Sequence, residues 1–192
     1  MMRLVIAASV GVLVMTLSCS TAPTQAASVT GPSYDDDGKL VRPRGFRSWV
    51  AVGASLGLSY REGSEGNGPG VFKNVYLEPS AYAAYRTSGE FPEGTMLALA
   101  VHETLQPDPE LSIGQEGHFP GKLVALEMAV KDSSHFDDGW TYFDFGGGDN
   151  GLRETAEAFG KDSCFDCHAE HAADDNVFVQ FYPVLRDGAG DE

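Results

Sequence analysis

A chain of 192 residues, 42% of them apolar, is long enough for one domain with a sizeable core and too apolar to remain disordered. Its formal charge of −15 repels nucleic-acid phosphates and anionic lipid headgroups, which argues against both as partners. Small neutral or cationic ligands, or a basic protein, suit this surface better.

The chain opens with "MMRLVIAASVGVLVMTLSCS", one positive charge at Arg3 and then an apolar run from Leu4 to Leu17. That is the build of a secretory signal and is too short for a spanning helix, so a periplasmic location is expected. Two ends of the signal stay open. "TLSC" is a degenerate form of the box that precedes a lipid-modified cysteine, which would end the signal at residue 18 and anchor the protein to the outer membrane through Cys19. "TQA" before Ala27 suits ordinary signal peptidase and a signal over 1–26. Residues 27–44 are rich in Ser, Pro and acid without apolar periodicity and read as a flexible spacer. The domain is then expected over 45–187, with a tail at 188–192.

Within the domain, "GFRSWVAVGAS" from Gly45 reads as a short opening helix. "REGSEGNGPG" from Arg61 reads as a loop, its glycines lacking the strand and helix that a phosphate-binding loop requires. Strands are predicted in "VFKNVYL" from Val71, "TMLALAVHE" from Thr95, "KLVALEMAV" from Lys122 and "GWTYFDF" from Gly139. "EPSAYAAYRTSG" has Pro79 early and Gly89 at its end, the order of a short helix, and "RETAEAF" before the cysteines reads as a second one. Strands outnumber helices and their connections are short. The fold class is therefore α+β, mainly an antiparallel sheet with a few short helices.

The chemistry concentrates in "CFDCHAEH". Of three cysteines in the chain, Cys164 and Cys167 are followed directly by His168, giving the C-x-x-C-H attachment signature of c-type haem. Two thiols three positions apart can each add to a porphyrin vinyl group, and the adjoining histidine is placed to ligate the iron as its proximal ligand. Attachment of that kind occurs on the exported side of a membrane, which agrees with the signal. A zinc site from Cys164, Cys167, His168 and His171 has suitable ligand types, but structural zinc sites draw their pairs from separated knuckles. A redox-active disulfide is weakened by the lack of a thioredoxin-like strand and helix before the motif. Haem c is the expected cofactor, one per chain and covalently attached.

What the haem does depends on the sixth position of the iron. Beyond the signal only Met96 and Met128 remain, both inside apolar strand patterns where methionine commonly fills a core. His102, His118 and His135 fall at strand ends or in loops, and His171 lies on the same helix as His168. An open distal site is expected; an electron carrier with Met96 or Met128 as sixth ligand is the alternative.

The motif, the "AEHAADDNVFVQFYPVLR" that follows it, and the upstream "VYLEPSAYAAYRTSGEFPEGTMLALAVHE" and "MAVKDSSHFDDGWTYFDF" together resemble the cytochrome P-460 family, over about Phe46 to Arg186. The resemblance implies a mainly antiparallel β domain, commonly dimeric, with one c-type haem. It also implies either oxidation of hydroxylamine and nitric oxide or, as in cytochrome c'-beta-like members, binding of nitric oxide and other diatomics. The family's oxidising members carry a lysine crosslinked to the haem, on the strand after "FPEGT". Here that strand reads "MLALAVHE", so the crosslink is expected to be absent, and Lys131 belongs to a different shared stretch. Redox conversion of hydroxylamine or nitric oxide at an open haem is the expected function, with binding of nitric oxide or another diatomic without turnover as the alternative.

An open haem needs an apolar distal wall or a base that takes protons from a bound nitrogen. Phe72, Tyr76 and Phe91 are wall candidates, each weighed against an ordinary core role. Asp144 and Glu157 are candidate catalytic carboxylates, each weighed against a surface acid. Arg47 is a candidate partner for a haem propionate, since guanidinium suits carboxylate. Trp49 and Trp140 read as core. The expected partners are a small nitrogen or diatomic ligand, a soluble redox protein and a second copy of the chain.

Overall fold

The computed structural model describes residues 31–59, 68–108, 110, 116–147 and 151–186. The signal, Cys19, most of the glycine-rich loop and the tail lie outside the described residues. β1 (Leu40–Val41) is followed by a 3-10 turn at Phe46–Ser48 and by β2 (Val50–Leu56), β3 (Phe72–Leu77), α1 (Pro79–Ser88), β4 (Met96–Leu105), β5 (Phe119–Lys131) and β6 (Trp140–Asp144). β7 (Thr155–Ala156), α2 (Phe165–His171), a 3-10 turn at Val179–Phe181 and α3 (Pro183–Arg186) complete the described chain. β2 to β6 form one antiparallel meander in chain order, and β1 pairs with β7. The α+β class read from the sequence holds.

The pairing register sorts side chains onto two faces. Tyr76, Ala98, Met128 and Phe143 are cross-strand neighbours, as are Leu77, Leu97, Ala129 and Tyr142 one position away. Because strand side chains alternate, these two rows point in opposite directions. The first face buries Met96, Ala98, Ala100, Leu126, Met128 and Phe143 beneath Leu40, Phe46, Phe145 and Ala156. The second buries Leu97, Leu77 and Trp140 beneath α1 and the C-terminal segment, through Ala81, Phe91, Val177, Val179 and Leu185.

α1 begins and ends as its sequence predicts. Pro79 occupies the first turn, the Glu78 carboxylate accepts hydrogen bonds from the Ser80 and Ala81 amides at 2.9 Å, and Gly89 terminates the helix at φ 75°. The C-terminal segment reaches the sheet at Gly53, beside the bulge between Ala51 and Gly53. A Cβ there would lie 2.5 Å from the Tyr182 ring. Only a bare backbone lets that ring pack on β2.

Three sequence expectations are corrected. "RETAEAF" is not helical: Thr155 and Ala156 pair with Val41 and Leu40, and Ala158 bridges Phe143. The alternation of Ala156 and Ala158 with Thr155 and Glu157 has a period of two, and tertiary pairing outweighs a weak helix propensity. The spacer does not extend to residue 44, because Leu40 is fully buried and Tyr34 donates to the Asp132 carboxylate at 3.0 Å. "VAVGASL" is the edge strand β2, preceded by only a single 3-10 turn.

Candidate haem site

Cys164 stands at the N-cap of α2, and the His168 amide donates to its carbonyl at 3.1 Å, so one helical turn separates the first thiol from the histidine. Phe165 anchors this short helix in the second-face core. Gln180 closes its far end, donating to the His171 carbonyl at 2.8 Å and accepting from the Ala173 amide at 3.0 Å. Both thiols are free, Cys167 exposed and Cys164 half-buried. Burial pushes the Cys164 thiol up in pKa, with the charges of Glu127 and Cys167 adding to it.

His168 lies between two rings, Tyr142 at 4.4 Å and Phe178 at 4.6 Å between centroids. Its Nδ1 is 2.8 Å from the Asn176 carbonyl oxygen. A carbonyl can only accept, so Nδ1 carries the proton and Nε2 keeps its lone pair for a metal. Burial lowers the imidazole pKa against the opposing pull of that hydrogen bond, so the ring is held neutral, the form that ligates iron.

Tyr142 places His168 on the second face of the sheet. Two positions further along β6 is Asp144, opposite Glu127 of β5, which in turn pairs with Leu99 of β4. Lys73 of β3 lies on the same face two residues from Val75, the neighbour of Leu99. Glu127 is exposed to solvent although its strand is interior to the sheet, yet it is walled closely enough that desolvation raises its pKa; Asp144 adds to the rise and Lys73 opposes it. Its charge acts on the Cys164 thiol, which puts it beside the first cysteine of the motif.

The cytochrome P460 family model matches residues 43–179. The chain belongs to the cytochrome P460 family. Membership makes it a haem c cytochrome, and the residues present fit that group: two free thiols and a neutral imidazole on one helical turn, with Nε2 unengaged and an accessible strip of sheet beside them. Cys164, Cys167 and His168 would hold it. No curated protein matches the chain.

The P460 sheet separates most of the other candidates from His168. Met96 and Met128 are buried in the first-face core, so the sheet stands between both thioethers and the imidazole. Tyr76 packs on that same face, its ring 5.9 Å from Phe46, and Phe72 follows it by strand alternation. Neither contributes to the wall near His168. Phe91 is on the correct face but 2% exposed, stacked on Tyr85 at 4.1 Å and edge-on to Trp140, which makes it core beneath α1. Arg47 lies exposed over the Phe46 ring, 4.9 Å from its centroid, on the face away from His168. Glu157 is a surface acid, 3.1 Å from Lys39.

Asp144 does reach the strip, but one oxygen accepts from the Gly146 amide at 2.6 Å and the other lies 3.6 Å from Arg153, which ties it to the following turn. Sequence reasoning missed Glu127. Its only signal is a lone acid inside the apolar "KLVALEMAV", which reads equally as a solvent-facing strand position. His171 is exposed at the end of α2, and among the described residues no group of three or more His, Cys, Asp and Glu could hold a metal ion, so zinc gains no support.

Proposed function

We propose that this cytochrome P460 converts small nitrogen species, hydroxylamine or nitric oxide, at a single covalently attached haem with an open distal site, Glu127 serving as proton acceptor. The observation that carries the reading is the placement of Glu127 on the His168 face while both methionines lie on the other. When bound, the haem supplies an iron that takes a nitrogen ligand and passes electrons on. Glu127 receives the protons that an N–H substrate releases, and its raised pKa makes it a stronger base than an ordinary carboxylate. The electrons leave to a one-electron acceptor protein, for which the acidic surface favours a basic partner.

The amino-terminal apolar run supports export to the periplasm, with Cys19 as an added lipid anchor if the signal ends before it. A homodimer is the assembly proposed. Binding of nitric oxide without turnover is the second reading, favoured by Leu99 and Val75 beside Glu127, which suit a neutral diatomic.

Glu127→Gln separates the two. With haem content unchanged, reduction of an artificial acceptor by hydroxylamine should fall roughly 100-fold or more, the usual contribution of a positioned base. An unchanged rate would remove Glu127 from the reaction. A wild-type protein that binds nitric oxide but oxidises no hydroxylamine would favour the second reading.

A further inference from the structure

The carbonyl that holds His168 belongs to a turn that is itself held from three other elements. Asp175 and Asn176 both adopt positive φ, 40° and 59°, and the Val177 amide closes the turn on the Asp174 carbonyl at 2.7 Å. From α1, Tyr85 donates to the Asp174 carboxylate at 3.0 Å. From β6, Trp140 Nε1 donates to Asp175 Oδ1 at 3.0 Å, and Tyr142 reaches the same Asn176 oxygen as His168, at 3.4 Å. From the end of β5, Lys131 Nζ donates to Asp175 Oδ2 at 2.8 Å and to the Phe91 carbonyl at 2.8 Å.

Both oxygens of Asp175 are thus engaged by groups distant in sequence, one residue before the carbonyl that accepts the imidazole hydrogen bond. The Lys131 side chain is only 21% exposed, so this ion pair is screened less than a surface pair. The proximal hydrogen bond matters because the partner of Nδ1 fixes the ring orientation and raises the basicity of Nε2 toward a metal.

We propose that Lys131 and Asp175 are positioning residues for the proximal imidazole: their ion pair, with Trp140, fixes the turn so that the Asn176 carbonyl takes a short hydrogen bond from His168. The inference rests on the haem reading above. Loosening the turn lengthens that bond, lowers electron donation from Nε2 and favours the reduced state.

The test uses the purified haem protein and reads the iron–imidazole stretching band of the reduced form and the midpoint potential. Lys131→Met and Asp175→Asn should both lower the band frequency. Both should also raise the potential, by about 30 mV for a threefold shift toward the reduced state at 59 mV per tenfold for one electron. Lys131→Arg, which keeps the pair, should restore the wild-type values. A purely electrostatic role would send the two potentials in opposite directions, since one variant removes a positive charge and the other a negative one; that result, or unmoved bands, overturns the inference. Asp175→Asn is nearly isosteric and carries the test alone if Lys131→Met does not fold. Failure of the haem reading is distinguishable, because it would leave the wild type itself without bound haem or an iron–imidazole band.

Discussion

Desolvation acts on Glu127 and His168 by the same rule, disfavouring charge, and so moves their pKa values in opposite directions, up for the acid and down for the imidazole. For Glu127 the folded state binds protons more tightly than the unfolded one. Its contribution to stability is therefore present at low pH and lost as pH rises through the folded value, a cost that makes sense for a group kept as a base. Hydroxylamine turnover should rise with pH through a midpoint above the ordinary carboxylate range. Removing the attraction of Lys73 with Lys73→Met should move that midpoint further up, and removing the repulsion of Asp144 with Asp144→Asn should move it down. A pH–rate profile for the three proteins checks the order, and a common midpoint would show that Glu127 does not govern the reaction. The C-x-x-C-H signature was legible in the sequence because it is local chemistry. Glu127 was not, because whether a strand residue faces a site depends on its pairing partners.

At the level of elements, α1 and the strands β3 to β6 could be read from periodicity and caps, since a ten-residue helix between Pro79 and Gly89 and long apolar strands carry their signals within themselves. β1 and β7 carry no such signal. Each has two residues, and each exists because the other pairs with it across more than a hundred positions. The consequence is that Leu40, in a stretch that reads as spacer, is fully buried against Phe46, Phe143 and Phe145 in the first-face core. Leu40→Ala should cost roughly 2–5 kcal/mol, the range for large-to-small changes in a packed core. Chemical denaturation measures it. A loss below about 0.5 kcal/mol, the level of an ordinary surface change, would mean the segment is a spacer after all.

Across the whole molecule the sheet is a partition. One face is closed by Tyr34, Leu40 and Phe46 and by Phe145, Leu152 and Ala156, and it keeps both methionines in a buried core. The other is shared between α1, the C-terminal segment with its C-x-x-C-H helix, and the strip that carries Glu127 and Lys73. Sequence alone could rank methionine ligation as less favoured, but not exclude it, since either face was open to a strand residue until the register was known. With His168 on one side and Met96 and Met128 on the other, a haem held by His168 would take no thioether from either methionine. The reduced absorption spectrum with and without carbon monoxide tests this most directly. A high-spin ferrous spectrum that changes when carbon monoxide is added is the expected result; a sharp low-spin spectrum indifferent to carbon monoxide would overturn the open site.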